Sequence, residues 1–404
     1  MLLHAGAEVA LLDTMYPMWK EVSWPAQERF GCGPYPRTLL PTLPVLASVP
    51  RRFARYGLPY DMVKRALEAI SPPPDLVMVG SVMTYWYPGV VACVRMVREV
   101  WSHVKIVVGG IYASLCHQHA SEYLGDADEI LRGPLEDERN WGLLWNLVGE
   151  EPPTPPSFAL DMGFYPSPQF SIVMGSRGCP YRCEYCASSV LFKGFYQREL
   201  EDVWVEFVSE VERGVRDFAF YDDALLYKAD TWFLPFLEKV IGLGAGVRFH
   251  TPNGIHVRYL TPEICRLMKR AGFKTLRLGL ETGHFKDRLD HKLTREEWDR
   301  GMAILRETGF SPDQVGVYIL FGLPGQGREE IKDSIEFVKS YGLRPHLAYY
   351  SPIPGSKLYP LAQRHSCFDL SEPLCHNNAI WPCYPGGFSW EERSRWKHLV
   401  APGR

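Results

Sequence analysis

The stretch Ser176-Arg177-Gly178-Cys179-Pro180-Tyr181-Arg182-Cys183-Glu184-Tyr185-Cys186-Ala187 crowds three of the chain's ten cysteines into the spacing Cys-x3-Cys-x2-Cys. Ten cysteines in 404 residues are too few for a disulfide scaffold. In a reducing compartment such a cluster reads as metal or redox chemistry. Three thiolates this close in sequence can wrap one soft metal centre. A cubane iron–sulfur cluster usually takes four cysteines, so with three, one iron keeps a position open for a substrate or cofactor. Gly178 and Pro180 keep the loop irregular, which lets the side chains converge. A structural zinc site would want a fourth ligand nearby, and no Cys, His or Asp follows within ten residues of Cys186. Unligated buried cysteines and a ferredoxin-like electron carrier are the other readings of the same spacing.

An apolar run, Phe170–Met174, leads directly into this loop. Five more strand-like runs follow: Phe218–Tyr221, Val247–His250, Thr275–Leu278, Gln314–Leu320 and His346–Tyr350. The gaps between them carry helical patterns. Val203, Phe207, Val208 and Val211 share one face of Asp202–Val211, and Thr231–Val240 and Glu263–Lys269 behave likewise. Thr294-Arg295-Glu296-Glu297 is a capping box that opens a helix to Thr308, with Gly309 as its stop, and Glu329–Tyr341 is the last helix. Repeated β/α units predict a partial or complete TIM-type barrel with the cysteines at its C-terminal mouth. From Ser351 onward no period is clear, which predicts an irregular tail or cap.

Upstream, Val9–Leu12, Asp75–Val79, Val104–Val108 and Glu129–Leu131 read as strands. Val90, Val91, Val94, Val97 and Trp101 fall at helical spacing after Pro88, which makes a parallel βαβ unit. Trp141–Val148 reads as a closing helix. Cys32 to Arg55 is rich in Pro and Gly, with a short helix near Leu43–Phe53. Glu151-Pro152-Pro153-Thr154-Pro155-Pro156-Ser157 can be neither helix nor central strand and reads as a linker. The expected organisation is an α/β domain over 1–150, a Pro-rich linker over 151–169, a barrel over 170–355 and a tail over 356–404.

Composition agrees with a soluble globular chain and excludes a disordered or fibrous one: 46% hydrophobic and 23% charged residues. With 44 basic and 47 acidic residues the net charge is -3, and no basic block suggests nucleic-acid binding. Leu76 to Val94 is uncharged, but Gly80-Ser81 and Thr84–Gly89 punctuate it as strand, loop and helix start, so no membrane span is expected. The N-terminus Met1–Glu8 lacks a basic region and a long apolar core, which points to the cytoplasm.

The cysteine motif, with aromatic Tyr185 before its last cysteine, resembles the radical S-adenosylmethionine (radical SAM) superfamily. The resemblance extends over roughly 170–360. Phe220-Tyr221-Asp222-Asp223 resembles the family's second strand end and Thr251-Pro252-Asn253-Gly254-Ile255 its third. Leu278-Gly279-Leu280-Glu281-Thr282-Gly283 resembles the fourth, Gly316 to Gly325 the fifth, and Tyr350 to Ser356 the sixth. It implies a [4Fe–4S] cluster held by Cys179, Cys183 and Cys186, and S-adenosylmethionine contacted by Tyr185, Asp222, Asn253, Glu281, Gly316, Tyr318 and Gly322. It further implies reductive cleavage of S-adenosylmethionine and an external flavodoxin- or ferredoxin-like electron donor. Asp222 and Asp223 are adjacent, so on a strand they would point to opposite sides and at most one would face the pocket.

A parallel α/β domain ahead of such a barrel resembles the cobalamin-binding class of the superfamily. Asp75 to Gly89, Val107 to Tyr112, and Arg132-Gly133-Pro134-Leu135-Glu136 carry this likeness. It implies a doubly wound parallel sheet with corrinoid contacts from Ser81, Thr84, Gly109, Gly110, Tyr112 and Gly133. Two departures stand out. No Asp-x-His-x-x-Gly occurs, so a histidine lower ligand is not expected, and Val9–Leu12 reads as the second strand, with the first missing. The expected activity is cobalamin-dependent methyl transfer to an unactivated carbon of a small molecule or peptide. The alternatives are a radical rearrangement, cyclisation or oxidation without cobalamin, and a non-catalytic iron–sulfur or zinc protein. Cys367, Cys375 and Cys383, with His376 beside the middle one, are either packing residues of a cap or a second metal site.

Overall fold

A computed structural model of the chain describes residues 1–16, 35–155, 157–166, 168–286 and 288–401. Cys32, at the start of the Pro- and Gly-rich stretch, lies outside these residues. The chain divides into two compact units: Met1–Ala159 with Phe368–Asn377, and Leu160–Cys367 with Asn378–Arg404.

In the first unit, β1 (Arg37–Leu39) and β2 (Ala54–Tyr56) form an antiparallel ribbon. β3 (Leu76–Ser81), β4 (Lys105–Gly110) and β5 (Glu129–Ile130) form a parallel sheet in that order. The helix Tyr87–Val100 makes the crossover from β3 to β4, with Pro88 in its first turn and Val90, Val94 and Val97 buried. These valines pack with Ile106 and Val108 of β4. Leu374, from the returning segment, joins the same core. Val9–Leu12 was expected as a strand and forms none. Leu12 rests on this core, but Leu11 is exposed and the backbone of the run pairs with nothing among the described residues. Between Leu43 and Phe53 only a single 3-10 turn, Pro44–Leu46, forms.

The second unit is a six-stranded all-parallel sheet whose strands follow chain order: β6 (Ser171–Val173), β9 (Asp217–Phe220), β10 (Arg248–His250), β11 (Phe273–Glu281), β12 (Val315–Phe321) and β13 (Arg344–Tyr349). A short antiparallel ribbon, β7 (Ser176–Arg177) with β8 (Tyr196–Gln197), brackets the cysteine loop. The helices between strands are Leu200–Glu212, Phe233–Leu243, Pro262–Ala271, Arg295–Glu307 and Arg328–Ser340. Thr294 and Glu297 form the expected capping box. Alternation sorts each strand into two faces. Phe218, Phe220, Phe249, Leu276, Leu278, Val317 and Ile319 face the helices and are buried in the main core. Asp217, Arg248, His250, Arg277 and Tyr318 lie on the other face. Each fully buried aromatic side chain contributes about 1.5–3 kcal/mol, which makes the outer face the main source of cohesion. This is the (β/α)6 partial barrel expected from the sequence.

The tail is more ordered than its sequence suggested, and it is shared. Trp390–Val400 is a helix capped by Ser389, whose hydroxyl accepts from the Glu392 amide, and it buries Trp396. Phe368–Asn377 belongs to the first unit, so 356–404 does not form one cap.

Candidate functional site

Two glycines admit the cysteine loop to its place. A Cβ on Gly175 would lie 2.2 Å from the Trp232 ring, and one on Gly178 would lie 1.9 Å from the Gly194 carbonyl. Gly178 also has φ +75. Both carboxylates at the end of β9 hold this entry. Asp222 accepts from the Gly175 amide at 3.1 Å and from the Ser176 hydroxyl at 2.6 Å. Asp223 accepts from the Gly178 amide at 3.0 Å. Asp222 is buried, and that burial pushes its carboxyl up to about 7 against the pull of these hydrogen bonds. It is a support beneath the loop, with its oxygens already committed.

Within the loop the Cys186 amide donates to the Cys183 carbonyl at 3.1 Å. Cys183 is buried, and Cys179 and Cys186 are half-buried. Burial pushes the Cys179 thiol up to about 11 and Cys183 to about 12, and raises Cys186. The Cys186 thiol raises both of the others, so each lies close enough to feel its charge, and Lys292 pulls all three down. Three soft donors on one short loop beside a buried cation suit a polynuclear iron–sulfur centre. Among the described residues no three His, Cys, Asp or Glu side chains stand at metal-holding distance.

The segment after β11 closes around this loop, and sequence reasoning missed most of it. Arg288 and Asp290 form a fully buried two-bond pair, Nε to Oδ1 and Nη2 to Oδ2, each 3.0 Å, with both side chains 2% exposed. Arg288 also donates to the Leu280 carbonyl at 2.8 Å and the Thr282 carbonyl at 3.0 Å. Burial works to raise Asp290, but Arg288 outweighs it and holds the carboxyl below its ordinary range. The Tyr185 hydroxyl donates to Asp290 Oδ2 at 3.0 Å, which fixes the aromatic residue of the cysteine motif. Burial first, then Glu281, raises that hydroxyl far above its ordinary range. The Glu184 amide donates to the Leu289 carbonyl at 3.2 Å, and Leu358 donates back to Glu184 at 3.0 Å.

Glu281 ends β11 in the left-handed region at φ 68, beside a register shift, a conformation that a non-glycine residue adopts at a cost. Its Oε1 meets Lys292 Nζ at 2.6 Å, in a pair whose side chains are 13% and 9% exposed. Burial alone would lower Lys292, but Glu281 and Cys183 outweigh it and keep the ammonium charged. His256 is also buried here, against the Tyr181 ring, and its Nδ1 has no partner among the described residues. Burial and then Lys292 push it down to about 3.

The other named positions sit lower or play supporting parts. Asn253 donates to the Tyr221 carbonyl at 2.9 Å, linking the ends of β9 and β10. The Tyr318 hydroxyl donates to the Pro252 carbonyl at 2.8 Å. Gly322 turns at φ +79, its amide held by Gln326 Oε1 at 2.8 Å. Gly316 lies at the start of β12, away from the mouth, and faces His346 and Arg277 of its own barrel.

In the first unit the six positions named for a corrinoid separate into two kinds. Ser81, Thr84 and Tyr112 are buried. The Ser81 hydroxyl donates to the Gly109 carbonyl at 2.6 Å, Thr84 Oγ1 meets His376 Nδ1 at 3.0 Å, and the Tyr112 hydroxyl meets His119 Nδ1 at 2.7 Å. Gly110, at φ +99, packs against Ser81, whose carbonyl a Cβ would meet at 2.3 Å. Gly109 and Gly133 face open space, as does Gly80, with nothing within 4 Å of a Cβ added to any of them. Of the tail cysteines, Cys367 is exposed and Cys383 is buried near the Ala362 carbonyl, and the two are neighbours in the second unit, where the Cys367 amide donates to the Pro382 carbonyl at 3.2 Å. Cys375 is buried and belongs to the first unit.

Residues 173–338 match the family model described as the Radical SAM superfamily. An uncharacterized methyltransferase of Pyrococcus horikoshii is 26% identical over 330 residues, 72% of this chain and 69% of that protein. The structure of the radical S-adenosylmethionine methyltransferase TsrM from Kitasatospora setae, with cobalamin and a [4Fe-4S] cluster bound, aligns at a TM-score of 0.60 and 17% identity, covering 76% of this chain and 67% of that one. OxsB, a cobalamin-dependent S-adenosylmethionine radical enzyme, aligns at 0.50 and 12% identity, covering 84% of this chain and 55% of that one. At these identities the solved structures establish the fold. No helix among the described residues is long and apolar enough to cross a membrane. The motif, the parallel barrel around it and the family match agree: residues 173–338, within the second unit, form a radical SAM domain.

Proposed function

We propose that the chain is a cobalamin-dependent methyltransferase acting on an unactivated carbon. The observation that carries this reading is the trio Gly80, Gly109 and Gly133. Gly80 and Gly109 are register partners one residue before the ends of β3 and β4, Gly133 follows β5 by three residues, and their missing side chains leave open space. A surface without Cβ atoms at aligned strand ends lets a broad, flat cofactor approach the backbone. A corrinoid bound there supplies a transferable methyl group. Ser81, Thr84 and Tyr112 then act as supports beneath the cradle, each engaged with its own unit.

In the barrel, Cys179, Cys183 and Cys186 would hold the cluster, which supplies the electron for reductive cleavage of S-adenosylmethionine. Asp222 and Asp223 fix the loop's entry, and Asp290 orients Tyr185. Glu281 and Lys292 set a carboxylate beside an ammonium, complementary to the amino-acid end of S-adenosylmethionine. The burial of this pair keeps water from the charges that do the binding. A one-electron reductant is required, and a flavodoxin- or ferredoxin-like protein suits it.

The test is anaerobic reconstitution of the full chain with iron, sulfide and hydroxocobalamin, followed by desalting and absorbance. Retention of about one corrinoid per chain, with 5′-deoxyadenosine released on reduction with S-adenosylmethionine, is expected. Nucleoside release with no retained corrinoid would overturn the cobalamin assignment alone. Absence of both S-adenosylmethionine binding and nucleoside release would overturn the wider mechanism.

A further inference from the structure

The lower half of the barrel holds a second cluster of charged groups that the cysteine site does not use. Buried and half-buried arginines of this unit meet carboxylates: Arg198 meets Glu206 at 2.5 Å, Arg258 meets Glu297 at 2.7 Å, Arg288 meets Asp290 at 3.0 Å, and Arg248 meets Asp217. Arg277 breaks the pattern. It is half-buried on β11, and its side chain donates only to the adjoining Leu276 carbonyl, at 3.1 Å. No carboxylate among the described residues pairs with it. In register beside it lie Gly316 of β12 and Arg344 of β13. Neighbouring strands are about 4.8 Å apart, so the two arginine backbones flank the glycine at about 10 Å from each other. Arg344 also lacks a carboxylate partner among the described residues.

Gly316 makes the convergence visible. The point where its Cβ would stand lies 2.6 Å from His346 Nε2 and 2.9 Å from Arg277 Nη1. Two nitrogen groups therefore reach one spot, and His346 makes no hydrogen bond among the described residues. Burial and then the charges of Arg277 and Arg344 push its imidazole down to about 4, as an uncompensated positive potential should. Asp217, on the same inner face of the sheet, is engaged by Arg248 and His250. Tyr318, reaching from β12 to the Pro252 carbonyl, lies between this row and the mouth. Arg277 is four residues before Glu281, about 13 Å along an extended strand, so a ligand here is separate from the cysteine loop.

We infer that the row Arg277, Gly316 and Arg344, with His346 folded over the glycine, binds a small oxyanion, a carboxylate or a phosphate group. Guanidinium groups pair with both by two-pronged hydrogen bonds, and an arginine half-withdrawn from water gains most from such a partner. The neutral imidazole adds one N–H donor.

The experiment titrates the full-length protein with inorganic phosphate and, separately, with malonate. It follows saturation by calorimetry and the His346 ring signals by NMR. Saturable binding of at least one anion is expected, and the bound anion should raise the pKa of His346, because a negative neighbour favours the imidazolium. Arg277→Gln and Arg344→Gln should each weaken binding about tenfold or more. Arg344 is exposed, so its substitution keeps the test valid if the Arg277 variant folds poorly. Arg393→Gln, on the C-terminal helix, should change nothing. Tighter phosphate binding would identify a phosphate-bearing ligand, and tighter malonate binding a carboxylate-bearing one. Binding unaffected by both arginine substitutions, or a His346 signal that ignores the anion, would overturn the site.

Discussion

The two units end their parallel strands in opposite ways. At the mouth of the barrel, side chains are held by side chains: Tyr185 by Asp290, Asp290 by Arg288, Glu281 by Lys292. At the strand ends of the first unit, polar side chains turn inward, and what faces outward at Gly80, Gly109 and Gly133 is backbone. The first arrangement suits small charged partners, because each donor and acceptor is fixed before the partner arrives. The second suits a large flat partner, for which any Cβ would be an obstruction. Experiments that disturb one unit should therefore fail differently from those that disturb the other.

The largest effect expected is at the cysteines. Cys183→Ala removes a buried donor of the trio, and iron analysis and spectroscopy should find the [4Fe–4S] centre lost while the fold persists. A full cluster in that variant would break the assignment. Next is Asp290→Ala, which leaves the Arg288 guanidinium buried without its counter-charge. That costs about 3–5 kcal/mol by chemical denaturation. It also frees the Tyr185 hydroxyl, so cluster incorporation should fall as well. A loss under about 1 kcal/mol would mean that the buried pair contributes little and that the mouth is less rigid than its hydrogen bonds imply.

That pair also shows what the sequence could and could not reveal. The barrel was legible because its signals are local: apolar runs, helical faces, and the Thr294–Glu297 capping box all formed where expected. The cysteine loop was legible from spacing alone. Arg288, Asp290 and Lys292 sit in a stretch without period, and their partners Tyr185, Glu281 and Cys183 come from other parts of the chain. Only the fold brings them together. Val9–Leu12 failed for the opposite reason: four apolar residues satisfy a local pattern, but a strand also needs a partner backbone, and none of the described strands pairs with them. The segment Phe368–Asn377 was illegible because nothing local says that Leu374 and His376 pack into the first unit. Ser389 with Glu392 was a readable helix start that the irregular composition around it concealed.

A smaller effect is read by pH within the second unit. Asp222 is raised from 3.8 to about 7, chiefly by burial. Between those values the folded chain keeps a proton that the unfolded chain has released. Its contribution to stability is therefore full below about pH 4, declines as pH rises, and is gone above about 7, a total of at most about 4 kcal/mol. His256 and His346, held neutral in the fold, slope the other way below about 6.5, so the raw profile mixes both. The difference between wild type and Asp222→Asn isolates the carboxyl. Denaturation at pH 5 and pH 8 should show the variant gaining relative to wild type at the higher pH. An unchanged difference would mean that Asp222 is ionised in the fold at both values.

The smallest effect on stability is the sharpest test of the first unit, because two adjacent glycines should part company. Gly110 has φ +99, and a Cβ there would stand 2.3 Å from the Ser81 carbonyl, so Gly110→Ala should cost about 1–3 kcal/mol through strain and displacement of β3. Gly109 has no positive φ and nothing within 4 Å of an added Cβ. In a strand, alanine loses less backbone freedom than glycine on folding, so Gly109→Ala should leave stability within about 0.5 kcal/mol of wild type or improve it slightly. Gly109→Leu extends the side chain into the same open space and should also leave the fold intact. If that space is a cradle, corrinoid retention after desalting should fall from alanine to leucine while thermal unfolding barely moves. If Gly109→Leu retains corrinoid as wild type does, the open strand ends are ordinary solvent-facing backbone, and any cobalamin bound by the chain must lie elsewhere.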